Sequence, residues 1–302
     1  MIIDIHAHTS SHKMWGLHTE DASIGKLKAE AEKFGVKKIA LMATYFPFKG
    51  TGLHNLELLE RIKDDNLFLA FGSLDAMNDF ENGIEELGEL LRRNLIAGIK
   101  LYPGYQDFSR SNALGVKLFP VFELAGRYGV PIMFHTGELH HCCSRETRAA
   151  GRGKCGADGC FVERLQYQAE PRNLVYAAEW FREVKFIFSH LGNPYFEQTR
   201  EVMTEYPNIF TDISGQFISG SAEDTVEYRQ TVVREIKKIL ALENGIDRVM
   251  FGTDFPIQSY ADSIDLIEAL SLSNEEKEKI YWRNAGRVLN IETEEVHESD
   301  QK

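Results

Sequence analysis

A chain of 302 residues is about twice the ~150 typical of one domain, a length that one (β/α)8 barrel of ~250 residues also suits. With 43% hydrophobic and 26% charged residues it can bury a large core, which excludes disorder over most of its length. The 34 basic residues stand against 46 acidic ones, and a net charge of −12 disfavours nucleic acid and anionic lipid as partners. No apolar run approaches the ~20 residues that a membrane span needs.

The opening Met1-Ile-Ile-Asp-Ile-His has no basic n-region and reads as a first strand, not a signal peptide. Further short β-rich runs follow at 37–43, 67–74, 96–102, 131–134, 185–189, 208–213 and 248–252, after a first at 2–5. Several are nearly continuous in apolar residues, as strands buried on both faces must be. Between them apolar residues recur at three- and four-residue spacing. Ile24, Leu27, Ala31 and Phe34 share one helical face with Gly35 as the stop, and residues 174–181 repeat the pattern after Pro171. Residues 273–289 read as mostly helical and as the close of an outer helical ring, and the acidic last dozen as a solvated tail. Strands alternating with helices eight times predict a (β/α)8 TIM barrel, one domain over residues 1–302.

One connection breaks the rhythm. Residues 137–170 hold all four cysteines (Cys142, Cys143, Cys155 and Cys160), the pair His140 and His141, and the basic Arg145, Arg148, Arg152 and Lys154. This Cys-rich insertion follows strand five and is expected to overhang the barrel mouth as a lid. The cysteine spacing matches no standard knuckle, so a structural zinc held by the four thiolates, free thiols and disulfides all stay open. A histidine, His140 or His141, could replace one thiolate. Cysteines confined to one stretch differ from a disulfide framework spread through a secreted fold, and the cytoplasm is the expected compartment.

The chemistry-bearing residues fall at strand ends. His6 and His8, two apart, project from one side of strand one. His135 ends strand five, His190 strand six and Asp254 strand eight. In a barrel those ends meet at one mouth, where four imidazoles and a carboxylate suit a borderline divalent metal with room for water. Taken singly, each motif is more often structural: a hydrogen-bonded core histidine, or an Asp capping a helix. Their coincidence at the same end of four strands is what carries the metal reading.

Asp4-Ile-His-Ala-His8, His135, His190, Gly252-Thr-Asp254 and Asn284-Ala-Gly-Arg-Val-Leu289 together resemble the amidohydrolase superfamily. The resemblance is to its metal-dependent hydrolase branch with aminocarboxymuconate-semialdehyde decarboxylase, resorcylate decarboxylases and pyrone-dicarboxylate lactonase (amidohydrolase 2 type), and covers nearly the whole chain. It implies one divalent metal, zinc, on His6, His8, His135 and Asp254. It also implies His190 as an acid or base beside the ion, polarising a substrate carbonyl, and Asp254 as the proton carrier. Zinc lowers the pKa of a bound water towards ~7.

Lys100 ends strand four, where some superfamily members carry a carboxylated lysine bridging two metals; the alternatives are a charge contact to substrate or a structural ion pair. Tyr102 either lines the pocket or packs the barrel. Three-metal phosphoesterases of the histidinol-phosphatase type need more ligands than this chain offers. TatD-like nucleases carry a strand-four glutamate where this chain has Lys100. The expected function is hydrolysis of a small-molecule amide, lactone or ester-like bond, with non-oxidative decarboxylation of a small carboxylic acid as the alternative. A non-catalytic metal-binding barrel is the third reading, and the intact His190 and Asp254 speak against it. The expected partner is a small, anionic substrate, and the expected assembly a homodimer.

Overall fold

Eight strands run parallel, in chain order around one sheet, in the computed structural model, which describes residues 1–14, 16–45, 53–108, 116–140 and 160–291. They are β1 (Ile2–Ala7), β2 (Val36–Met42), β3 (Phe68–Gly72), β4 (Gly98–Leu101), β5 (Ile132–Phe134), β6 (Phe186–Phe188), β7 (Ile209–Asp212) and β8 (Val249–Met250). The predicted (β/α)8 barrel is the observed fold. Closure between first and last strands is carried by Ile5 N to Phe251 O (3.1 Å) and by a parallel bridge of Ala7 with Phe255.

Alternation along each strand sorts side chains between two cores. Ile39, Leu41, Ile99, Leu101, Ile132, Phe134, Phe186, Phe188, Ile209 and Val249 belong to the outer core beneath the helices. Ile3, Ile5, Ala40, Met42, Phe71, Met133, Ile187, Phe210 and Met250 fill the barrel interior. Gly98 is required there, because a Cβ would collide with the Phe71 ring. The helix Asn284–Leu289 sends Ala285, Val288 and Leu289 into the same inner cluster. Its flanks bond to the strand starts: Asn284 Nδ2 to Val249 O (2.8 Å) and Asn290 Nδ2 to Gly129 O (3.1 Å). Among the described residues, the barrel is thus plugged where its strands begin.

The helices follow their sequence signals. Ile24–Lys33 starts at Ser23, whose hydroxyl accepts from Lys26 N (3.2 Å), and gives way to Gly35 at φ +67°. After Pro171 the chain makes a 3-10 turn (Pro171–Leu174) before the helix Val175–Trp180. The predicted C-terminal helix is three pieces, Asn274–Glu278, a π turn Lys279–Arg283 and Asn284–Leu289, opened by a Ser273/Glu276 capping box. Cys142, Cys143, Cys155 and His141 lie outside the described residues, as do most of the expected lid and the acidic tail. Cys160 is buried, directly before the helix Phe161–Leu165. Among the described residues no helix is long and apolar enough to cross a membrane.

Candidate metal centre

Above the apolar interior layer the same inward-facing positions become polar. On β4, Gly98 is followed two and four residues on by Lys100 and Tyr102. On β5, Met133 is followed by His135, on β6 Ile187 by Ser189, and on β7 Phe210 by Asp212 and Ser214. β1 reaches the same layer differently: between Asp4 and Ala7, two of its residues, Ile5 and His6, stand opposite one of β2, Ala40. Such a bulge re-aims side chains, and here Ile5 faces the inner core while His6 faces the polar layer.

Asp4 fixes this corner. Its carboxylate accepts from His6 N (3.1 Å), Thr253 N (3.1 Å) and Thr253 Oγ1 (2.6 Å), tying β1 to the turn after β8. The next residue, Asp254, sits at φ +54° with its N–H bonded to His6 O (2.7 Å). Left-handed backbone at a non-glycine residue is costly, and it persists here because both neighbours are held. His190 (φ +62°) and Leu191 (φ +55°) turn the chain equally sharply after β6.

These turns bring His6, His8 and Asp254 together. His6 Nε2 lies 3.2 Å from His8 Nε2 and 3.6 Å from Asp254 Oδ1, and His8 Nε2 lies 3.3 Å from Asp254 Oδ1. Their donor atoms all fall within 4.8 Å of one another, so the three residues could hold a metal ion. His8 is the most exposed, 22% at its side chain against 0% for His6, so the centre opens past His8. Lys100 Nζ, fully buried, reaches His6 Nε2 (3.2 Å), donates to Ser189 Oγ (2.9 Å) and lies 5.4 Å from the Tyr102 ring centre.

The remaining predicted residues form a second arc. The His190 ring stacks 4.8 Å from that of His6, and the His135 ring stands 5.1 Å from His190 and outside the compact trio. His135 Nε2 lies 3.3 Å from Glu138 O, which can only accept, so Nδ1 carries the lone pair. Tyr102 donates its hydroxyl to Ala43 O (2.7 Å), tying β4 to the end of β2, with its ring 6.4 Å from that of His8.

Sequence reasoning missed Asp212, Ser214 and Gly215. Asp212 Oδ1 accepts from His190 N (3.1 Å), Ser214 N (3.0 Å) and Ser214 Oγ (2.5 Å), while Oδ2 lies 3.4 Å from His6 Nδ1. A Cβ on Gly215 (φ +57°) would stand 2.7 Å from Asp254 Oδ2 and 3.0 Å from His190 Nδ1. The available signal was an inward carboxylate at the mouth end of β7, level with the histidines.

Electrostatics match the geometry. Burial, then repulsion from neighbouring imidazoles and Lys100, holds His8, His135 and His190 well below the ordinary imidazole value. Burial and Lys100 bring His6 down to about 4, against the pull of Asp212. Imidazoles must be neutral to ligate, so these are in the right form. Burial also brings Lys100 down to about 7, opposed by Asp212 and Asp254. It raises Asp254 well above the carboxylate range despite Lys100, with Asp212 and Asp4 adding to the rise. Asp212 differs: hydrogen bonds and charge from His6, His190 and Ser214 outweigh burial and hold it below its ordinary value. A divalent cation among His6, His8 and Asp254 would relieve the burial cost of the Asp254 carboxylate, and two imidazoles with one carboxylate are a fitting donor set.

A family model described as amidohydrolase matches residues 3–291, nearly the whole described structure. The chain belongs to the amidohydrolase family. As a member it is an enzyme. No curated protein sequence matches it. Solved structures share its fold at low identity. A probable 2-pyrone-4,6-dicarboxylic acid hydrolase from Acinetobacter baumannii, with citric acid bound, is 14% identical with TM-score 0.65, covering 96% of this chain and 99% of that one. A 2,6-dihydroxybenzoate decarboxylase from Rhizobium is 16% identical with TM-score 0.62, covering 96% and 98%. A 5-carboxyvanillate decarboxylase from Novosphingobium aromaticivorans, complexed with manganese and 4-hydroxy-3-methoxy-5-nitrobenzoic acid, is 16% identical with TM-score 0.58, covering 88% and 80%. Structures that share this barrel thus carry names for both hydrolysis and decarboxylation.

Proposed function

We infer that this amidohydrolase cleaves an amide, lactone or ester-like bond in a small, anionic molecule, with one divalent cation held by His6, His8 and Asp254 and approached by His135. The convergence of three donors within 4.8 Å at the end of the barrel where the strands finish carries this reading. The ion is zinc; when bound it supplies Lewis acidity and a water ionised near neutral pH. The chain's own groups do the rest. Asp254, buried and raised, takes a proton from the attacking water and returns it to the leaving group. His190 stands beside it as a second proton acceptor, held by Ser214. The Tyr105 ring, 5.0 Å from that of His135, walls the pocket. Lys100, the one cation in the polar layer among the described residues, draws an anionic group of the substrate inward. A carboxylated Lys100 bridging two ions is a weaker reading, since its Nζ is taken up by Ser189 and His6.

Decarboxylation is the second reading, favoured by that same Lys100: a buried ammonium beside the cation site suits a carboxylate drawn in for loss as carbon dioxide. Several proteins of this fold bear decarboxylase names. The cytoplasm, a homodimer and a structural zinc on Cys142, Cys143, Cys155 and Cys160 remain part of the proposal. A screen of lactones and amides against aromatic and enoic carboxylic acids, following product and carbon dioxide, separates the two chemistries. Elemental analysis is expected to give one ion per chain at this site. Asp254→Asn is expected to keep the fold and to lower turnover by at least ~10²-fold; full activity with an identified substrate would refute the mechanism.

A further inference from the structure

We propose that Asp212 and Ser214 fix the ring proton of both His6 and His190 on Nδ1, so that each imidazole presents its Nε2 lone pair to the substrate side. The functional consequence rests on the reading of His6, His8 and Asp254 as a cation site; the proton assignment itself does not.

The argument counts hydrogens. Ser214 Oγ stands at the centre of three groups: Asp212 Oδ1 at 2.5 Å, His190 Nδ1 at 2.9 Å and His6 Nδ1 at 3.1 Å. A hydroxyl has one hydrogen, and a carboxylate only accepts, so that hydrogen goes to Asp212. The oxygen's lone pairs then face both Nδ1 atoms, which must donate. Two further contacts agree. His190 Nδ1 lies 3.0 Å from Ser214 O, a carbonyl that can only accept. At the far side of His6, Nε2 meets Lys100 Nζ at 3.2 Å, and Lys100 in its ammonium form can only donate there. Ser189 closes the chain, giving its own hydrogen to Phe134 O (2.8 Å) and accepting from Lys100 (2.9 Å). Asp212 itself is aimed by two backbone donors, His190 N and Ser214 N.

Two consequences follow. The donors of His6, His190 and Asp212 also lie within 4.8 Å of one another, yet this is no second cation site, because the Ser214 hydroxyl fills its centre. His190, neutral and protonated at Nδ1, accepts a proton at Nε2 and has none there to give. On this assignment Nε2 of His190 faces the substrate side as an acceptor, the base among the roles expected for it. Asp212 and Ser214 act through the histidines and are positioning residues. Outer partners of this kind set the tautomer and basicity of ligating histidines.

The test uses metal-depleted, full-length protein labelled with 15N-histidine. Long-range 1H–15N correlation spectra distinguish the two neutral tautomers, with His6 and His190 assigned by the signals lost in His6→Asn and His190→Gln. Both are expected to show the Nδ1–H pattern. Ser214→Ala and Asp212→Asn are expected to shift His6 towards Nε2–H and to weaken zinc binding, by calorimetry, about 10–100-fold. An Nε2–H pattern for either histidine in the unsubstituted protein overturns the proposal, and that spectrum decides even where a variant fails to fold. Unchanged tautomers and zinc affinity in Ser214→Ala overturn it too. An Nδ1–H pattern in a protein that binds no zinc refutes the proposed function and leaves this assignment standing.

Discussion

Gly215 offers a sharp probe of the centre, because replacing it with alanine adds one methyl group at a known place. That carbon would lie 2.7 Å from Asp254 Oδ2, 3.0 Å from His190 Nδ1 and 3.1 Å from Asp254 Cβ. Ordinary contact is about 3.5–4.0 Å, so Asp254 must retreat by roughly 0.8 Å or the loop must move. Overpacking of this kind costs about 1–3 kcal/mol, and the left-handed φ of +57° adds about 1–2 kcal/mol for a residue with a Cβ. Gly220→Ala is the matched control: its φ is +77°, and nothing stands within 4 Å of the new carbon. It carries the backbone cost alone. Each kcal/mol lowers the melting temperature of a chain this large by about 2–4 °C. By calorimetry Gly215→Ala is therefore expected to melt well below Gly220→Ala. Displacing a ligand carboxylate is also expected to weaken zinc binding about 10–100-fold, with Gly220→Ala unaffected. Equal zinc affinity in the two variants would refute the placement of Asp254 in the cation site.

Two further outcomes test the scaffold around the centre. The buried Arg248 guanidinium donates to the carbonyls of Met203 (2.6 Å), Glu243 (3.0 Å), Tyr206 (3.3 Å) and Ile209 (3.4 Å), at the barrel's plugged end. Arg248→Met strands them, and chemical denaturation should show a loss of about 3–5 kcal/mol with zinc affinity unchanged. Arg229 clamps Asp224 (2.6 and 2.7 Å) and reaches Asp262 (2.7 Å). Hydrogen bonds from Arg229 lower Asp224, and bonds from Ser219, Ser259 and Arg229 outweigh burial to lower Asp262. Carboxylates depressed in the folded state stabilise it above their unfolded pKa and lose that effect as pH falls through the folded value. The deficit of Arg229→Gln, about 1 kcal/mol at pH 7, should thus shrink below about pH 4 in melting curves taken across that range. A constant deficit would remove the clamp from the account.

The strands were legible because several are nearly continuous in apolar residues, and the observed ends differ from the predicted ones by a few residues. β8 is shortest, and the N–H and hydroxyl of Thr253 beyond it donate to the Asp4 carboxylate instead of to the backbone of a neighbouring strand. The histidines were legible because imidazoles at strand ends are conspicuous. Asp212 was not: Thr-Asp-Ile-Ser carries no histidine and reads as an ordinary turn, and its role depends on its carboxylate meeting His6, 206 positions away in the chain, at 3.4 Å. The bulge in β1 left no sequence mark either. His135 shows a different limit, an expected ligand whose ring lies beside His190, outside the compact trio.

The Asp4 carboxylate that ties β1 to Thr253 joins residues 249 positions apart. His8 is made 246 residues before Asp254, so while that stretch is synthesised the two histidines wait without their third partner. On the proposed reading, assembly of the donor set coincides with the closing of this seam, and a growing chain has no finished cation site to load until then.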